Sequence, residues 1–198
     1  IWLVTPETEK SFSWQDTQKR AETIACYLQG ARLSKGASVA IAAPNGAAAS
    51  FAFLGVVYGG FRATPLNLVA GVKTLSFVLS HSKTELILCA DDSRDLVDEA
   101  IAGLVESDEK VPQIISMDVD DGPRWNEANI TPIKPFDLDN PSADTIGLLM
   151  YTSGTTGVPK GVLLSHANLI AAGTNVAVAH ELTPADTSMC VLPIYHIN

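Results

Sequence analysis

Ser38-Val-Ala-Ile-Ala-Ala-Pro-Asn-Gly46-Ala-Ala-Ala-Ser-Phe-Ala-Phe-Leu-Gly-Val-Val-Tyr58-Gly-Gly-Phe-Arg-Ala-Thr-Pro-Leu-Asn67 contains the unit from which the fold is built. Ser38 to Ala43 is a short apolar run closed by Pro44-Asn45-Gly46, three residues with turn chemistry, and it reads as a buried strand. Ala47 to Tyr58 reads as a mostly buried helix. Gly59-Gly60 stands where that helix stops, and Ala63 to Asn67 is extended beyond it. No charged residue occurs between Lys35 and Arg62. The turn nevertheless splits the run and leaves about fifteen residues after it, too few for a helix to cross a bilayer core of about 30 Å.

The same alternation continues on both sides. Upstream, Ser13 and Asp16 have capping-box spacing, Ala21, Ile24, Ala25 and Leu28 recur at i, i+3, i+4, i+7, and Gly30 stands where a helix ends. Downstream, the pattern predicts a helix over about 72–80, a strand at 85–90, a helix over about 93–105 and a strand at 113–117. Strands alternating with helices predict a mainly parallel sheet covered by helices, so the class is α/β. From Asp118 to Asp144 the chain carries Pro123, Pro132, Pro135 and Pro141, which predicts an irregular surface connection. The chain therefore divides into a first α/β block (1–117), that connection (118–144) and the start of a second block (145–198).

Composition narrows the partners. The 198 residues hold 13 bases and 22 acids, a net charge of −9, and 46% of them are hydrophobic. Of those acids, 11 lie between Asp91 and Asp121 with only 2 bases among them, which reads as a solvated helix face and loop. An acidic chain offers no basic face to a nucleic-acid backbone or an anionic bilayer, and neither partner is expected. Cys26, Cys89 and Cys190 show no CxxC spacing and sit in hydrophobic surroundings, so buried free thiols and a cytoplasmic protein are expected. Asn129-Ile130-Thr131 has the spacing of a glycosylation acceptor, but no signal peptide precedes it, and it is discounted. The first residue is Ile1, and Cys190 to Asn198 is an apolar, strand-like run with no closing turn. Both ends read as cut.

The chemistry is concentrated in one segment. Thr145 to Tyr151 is strand-like and feeds Thr152-Ser-Gly-Thr-Thr-Gly-Val-Pro-Lys-Gly161. Its glycines let the backbone turn successive N–H groups toward one concave face, the way a loop holds phosphate oxygens. Thr152, Ser153, Thr155 and Thr156 add hydroxyls. Lys160 adds a full charge and is the only lysine or arginine after Phe136. The spacing is not that of Walker A, because Val158-Pro159 separates Gly157 from Lys160 and an apolar run follows. Gly-x-Gly-x-x-Gly, HExxH and Gly-x-Ser-x-Gly are all absent, which removes dinucleotide, zinc-protease and serine-hydrolase readings of this stretch.

Tyr151-Thr-Ser-Gly-Thr-Thr-Gly-Val-Pro-Lys-Gly161, followed by Val162-Leu-Leu-Ser-His-Ala-Asn-Leu169, resembles the AMP-binding signature of the acyl-adenylate-forming superfamily. Phe12-Ser-Trp-Gln, Gly60-Phe-Arg-Ala-Thr-Pro-Leu-Asn67 and Leu192-Pro-Ile-Tyr-His-Ile-Asn198 agree with that family in order and position. The resemblance implies the N-terminal part of the large domain of an AMP-forming acyl-CoA synthetase, an acid-thiol ligase, with the C-terminal domain absent. It implies ATP, a magnesium ion and coenzyme A, and a carboxylic acid that becomes acyl-AMP before its transfer to the thiol.

In residue terms, the resemblance places Thr152, Ser153, Gly154, Thr155, Thr156 and Gly157 around the β- and γ-phosphates. Lys160 counters charge on the departing pyrophosphate, Thr152 offers a hydroxyl to magnesium, and Tyr195 and His196 border the carboxylate and thiol-entry region. Histidine at 196, where amino-acid-activating relatives carry aspartate, favours an acid without an α-amino group. His166 reads as structural beside an N-cap at Ser165, and His81 and His180 as helix-end residues. The 198 residues alone are expected to be inactive, because the adenine- and ribose-contacting half of the family pattern is not among them. Transfer to a carrier-protein thiol, a luciferase-like oxidation, and a non-catalytic nucleotide-binding module are the alternatives. Short aliphatic, dicarboxylic, fatty and aromatic acids all stay open as substrates, and a peroxisomal address as a location.

Overall fold

The computed structural model of the chain describes residues 3–6, 8–152, 159–190 and 192–196. A two-stranded antiparallel ribbon, β1 (Leu3–Thr5) and β2 (Lys10–Phe12), leads into α1 (Trp14–Gly30). The alternation then runs β3 (Ser38–Ala42), α2 (Ala47–Tyr58), β4 (Arg62–Pro65), α3 (Val72–Ser82), β5 (Thr84–Ala90), α4 (Arg94–Glu106) and β6 (Gln113–Asp118). After β7 (Gly122–Pro123) come β8 (Ile146–Thr152), β9 (Lys160–Ser165) and α5 (His166–Ala179). The sheet order is β7-β6-β5-β3-β4-β8-β9. Its five central strands are parallel, and β7 and β9 close the two edges antiparallel.

The central strands are buried on both faces, as a parallel sheet requires. All five residues of β3 are buried. Val39 and Ile41 point into one layer with Ile24 and Leu28 of α1 and Phe51 and Val56 of α2. Ala40 and Ala42 point into the other, with Leu75 and Leu79 of α3 and Val97 and Leu104 of α4. Each large aliphatic side chain so buried contributes about 1.5–3 kcal/mol. At the start of the strands, the buried hydroxyls of Ser38, Thr64, Ser82 and Thr84 satisfy one another, with Ser38 and Thr64 at 2.7 Å and Ser82 and Thr84 at 2.7 Å.

Local signals decide the helix ends. The Asp16 N–H donates to Ser13 Oγ at 3.1 Å and the Ser13 N–H to Asp16 Oδ2 at 3.0 Å, a reciprocal cap worth about 1 kcal/mol. Those hydrogen bonds hold the Asp16 carboxyl below its ordinary range. Gly30 serves a different purpose from the one its position suggested. It is the last residue of α1, and Ala31 caps the helix in a right-handed conformation. Glycine is needed there because a Cβ would run into the Thr131 carbonyl oxygen of the 118–144 connection.

The 118–144 connection is irregular and mostly at the surface, as its prolines predict, but it is pinned to α1 at specific points. Trp125 is buried and stacks on Tyr27 of α1, ring centroids 4.7 Å apart, and the Ile133 N–H donates to the Cys26 carbonyl at 3.1 Å. Arg124 forks onto both oxygens of Asp91 at 2.8 and 2.7 Å, so part of the acidic stretch is internally paired. β8 then enters the sheet beside β4, and residues on both sides of the connection share one sheet.

Two expectations about the last residues are overturned. Among the described residues, 183–196 forms no strand, since Pro193 lacks an N–H and no partner strand lies there. Cys190 is exposed, whereas Cys26 and Cys89 are buried, burial pushing the Cys89 thiol up to about 11. Helix α5 has the expected N-cap at Ser165, completed into a capping box by Asn168, but no buried residue. Its Ile170 and Val178 are 69% and 72% exposed. No helix among the described residues is long and apolar enough to cross a membrane.

Candidate functional site

A parallel sheet gathers the C-terminal ends of its strands on one edge. Here β4 and β5, which follow β3 in turn, lie on opposite sides of it. In open α/β sheets, ligands bind at such a reversal, outside the carboxyl ends of the strands. β8 ends on this edge at Tyr151-Thr152, β3 at Ala42 and β6 at Asp118. A cleft of about 220 Å³ opens over the ends of β3, β5 and β6, with Pro44, Asn45, Ala90, Met117 and Asp120 in its walls.

The glycine-rich segment is framed by a hairpin. β8 and β9 are antiparallel, and their last paired residues are Thr152 and Lys160. Lys160 therefore stands directly across from Thr152, at the mouth of the intervening loop. It is exposed and has no ion-pair partner among the described residues. Thr152 is exposed at the same rim. Ser153, Gly154, Thr155, Thr156 and Gly157, expected to hold phosphates, lie outside the described residues.

The strand leading into the loop is anchored from α3. Tyr151 Oη lies 2.8 Å from His81 Nδ1, and His81 itself stacks on Phe77 at 5.4 Å. Burial pushes the Tyr151 phenol up, while the nearby Arg62 guanidinium pulls it down. His81 is thus more than a helix-end residue. His166 keeps a structural position. Its ring packs where a Cβ on Gly147 would meet it at 3.3 Å, its Nε2 is buried without a partner among the described residues, and burial lowers its pKa.

Tyr195 and His196 reach the same edge through Asn45. The Asn45 Nδ2 donates to the Leu192 carbonyl at 2.7 Å, and the Ile194 N–H donates to Asn45 Oδ1 at 2.8 Å. A turn closed by the His196 N–H on the Pro193 carbonyl, 2.9 Å, follows at once. Tyr195 is half-buried and His196 exposed. Thr152 and Lys160 thus pair at the carboxyl end of β8, and the irregular segment that carries Tyr195 and His196 is tied to Asn45, just beyond the carboxyl end of β3. The sequence reading gave Asn45 only a turn role, because nothing local signals a partner almost 150 residues away.

A metal has little to hold it here apart from its ligand. Among the described residues no group of three or more His, Cys, Asp or Glu side chains could bind a metal ion. The Thr152 hydroxyl is a single neutral donor, which suits an ion already carried by phosphate oxygens and not a resident cation.

The described residues define an α/β domain with a mainly parallel sheet, whose hairpin β8–β9 flanks the glycine- and hydroxyl-rich stretch of the sequence. The family model described as AMP-binding enzyme matches residues 2–198, and the chain belongs to that family. It is 35% identical over 205 aligned residues to a sulfoacetate-CoA ligase of Cupriavidus necator, covering 100% of this chain and 38% of that protein. It is 26% identical to a long-chain-fatty-acid-CoA ligase of Mycobacterium tuberculosis, covering 98% of this chain and 37% of the relative. ATP-bound MatB from Rhodopseudomonas palustris superposes with a TM-score of 0.78 at 25% identity, over 96% of this chain and 36% of that one. The chain spans little more than a third of the length of these proteins.

Proposed function

We propose that the protein carrying this chain joins a carboxylic acid to coenzyme A at the expense of ATP. The acid's carboxylate attacks the α-phosphorus and pyrophosphate leaves, giving acyl-AMP. The thiol of coenzyme A then takes the acyl group, releasing AMP. The observation that carries this reading is the pairing of Thr152 with Lys160 across the β8–β9 hairpin, which sets an exposed lysine, without an ion-pair partner among the described residues, at the end of the glycine-rich stretch of sequence. The names of the relatives, which are CoA ligases, support it.

In this reading, Thr152 to Gly157 surround the β- and γ-phosphates. Lys160 meets the charge that grows on pyrophosphate as the P–O bond breaks, where a preorganised cation lowers a barrier most. The Thr152 hydroxyl is the side chain that would be offered to a magnesium ion bound with ATP, which would help neutralise the phosphate charge. Tyr195 and His196 border the acid and the entering thiol. His196 supplies no carboxylate to hold an α-ammonium group, so the acid is one without an amino group, and short acids such as sulfoacetate head the candidates. The unpaired thiols fit a reducing, cytoplasmic setting.

The test uses the complete protein with Mg-ATP, a panel of carboxylic acids and hydroxylamine as trap, with and without coenzyme A. Acid-dependent pyrophosphate, AMP and a trapped hydroxamate are expected, with the thioester replacing the hydroxamate when coenzyme A is present. ADP and phosphate in place of AMP and pyrophosphate would overturn the reading.

A further inference from the structure

We propose that Asn45 is a positioning residue that fixes the Tyr195-His196 segment against the carboxyl edge of the sheet, and so sets affinity for the acid. The inference rests on the reaction proposed above. Residues 183–190, 192 and 196 are exposed, and 193–195 only half-buried. Packing alone therefore holds this segment weakly. Among the described residues, the only hydrogen bonds that join 183–196 to the rest of the chain are the two from Asn45.

Their geometry fixes orientation as well as place. The carboxamide gives its N–H to Leu192 and takes the N–H of Ile194, two residues on, as the backbone of a neighbouring strand would. Reversing the amide would set acceptor against acceptor at Leu192 and donor against donor at Ile194, so one orientation is selected. Asparagine suits this double task. Aspartate lacks the donor, and glutamine places the amide one carbon further out.

The position of Asn45 explains why this tie bears on the site. It directly follows Pro44, just beyond the end of the central strand β3, whose five residues are all buried. The segment is thereby referenced to a strand buried along its whole length, beside β4 and two strands from β8, which leads into the glycine-rich segment. Tyr195 and His196 follow the tie by one and two residues, within the turn that the His196 N–H closes on the Pro193 carbonyl. Losing the tie frees them to sample orientations in which the acid is not held.

The experiment compares the wild type, Asn45→Ala and Asn45→Asp in the complete protein, by amide hydrogen exchange over 190–196 and by acid-dependent pyrophosphate release. Asn45 is exposed, so its truncation leaves no cavity, and Asn45→Asp retains the acceptor while losing the donor. In Asn45→Ala, faster exchange at 192–196 is expected. The KM for the acid rises about tenfold to thirtyfold, the size set by two lost hydrogen bonds, while the KM for ATP stays within about twofold. Asn45→Asp falls between. In a His196→Ala background, Asn45→Ala adds little, because its effect is transmitted through that segment.

Unchanged exchange in an active enzyme overturns the tie. Equal rises in both KM values with a lower Tm, or full additivity with His196→Ala, overturn its positioning role. A wild type that releases no pyrophosphate with any acid refutes the proposed reaction, and with it the link to acid affinity. That failure is visible without any variant.

Discussion

Three helix-interior glycines make a graded test of the packing described above. Replacing a helical glycine with alanine gains about 1 kcal/mol where the new methyl meets nothing. Gly173 in α5 is such a site, with no atom within 4 Å of a built Cβ. At Gly103 in α4 the Cβ would lie 2.7 Å from Ser76 Oγ, a hydroxyl that can rotate aside. At Gly55 in α2 it would lie 2.5 Å from Ile24 Cβ and 2.6 Å from Ile24 Cγ2. Ile24 is β-branched, 3% exposed and set in α1, so it has no second rotamer to take. Carbons pack at about 3.5–4.0 Å, so α1 and α2 must part by about 1 Å, loosening the whole interface. Overpacking of that kind costs about 3 kcal/mol, and the helix gain returns about 1, leaving Gly55→Ala about 2 kcal/mol less stable. For a chain of this length the Tm falls by about 4–8 °C. Denaturant unfolding followed by circular dichroism measures it, with exchange in α5 reading the Gly173→Ala gain locally. A neutral or stabilising Gly55→Ala would refute the close approach of the two helices.

Three other perturbations probe separate parts of the molecule. Lys160→Ala in the complete protein should slow acid-dependent pyrophosphate release about 100- to 1,000-fold, with Tm unchanged within about 2 °C, since an exposed lysine without an ion-pair partner among the described residues is removed. Equal losses of rate and stability would make it structural. Trp125→Ala should cost about 3 kcal/mol in urea unfolding through loss of the stack on Tyr27, and a cost under about 1 would mean the connection is not packed on α1. His166 has its pKa lowered by burial from the ordinary 6.5, so in acid the unfolded chain takes up the proton first. Its stabilising contribution is complete above pH 6.5 and is lost as the pH falls from there through the lower folded pKa. A titration of Tm should show that loss in the wild type and not in His166→Gln, and identical profiles would exclude His166 as the cause.

The α/β alternation was legible from periodicity and punctuation alone. Each strand and helix from Ser38 to Asp118 falls within two residues of its expected bounds, because buried strands, capped helices and Gly-Gly stops are local signals. The glycine- and hydroxyl-rich segment also stands out in the sequence, since a lysine isolated among glycines and hydroxyls needs no tertiary context to be noticed. What the structure adds is the hairpin register that sets Thr152 directly across from Lys160.

What tertiary structure alone decided are the long-range relations. Gly30 carried the mark of a helix stop, but the carbonyl of Thr131, a hundred residues later, is what demands glycine there. Trp125 and Ile133 lay in a proline-rich stretch whose composition predicts a surface loop, and their partners in α1 are invisible from within that stretch. Cys190 and its apolar neighbours had the pattern of a strand, but a strand needs a partner, and pairing is not a local property. Asn45 is the plainest case. A Pro-Asn-Gly turn specifies where the chain bends, whereas the meeting of its amide with Leu192 and Ile194 depends on the strand order that brings both to one edge.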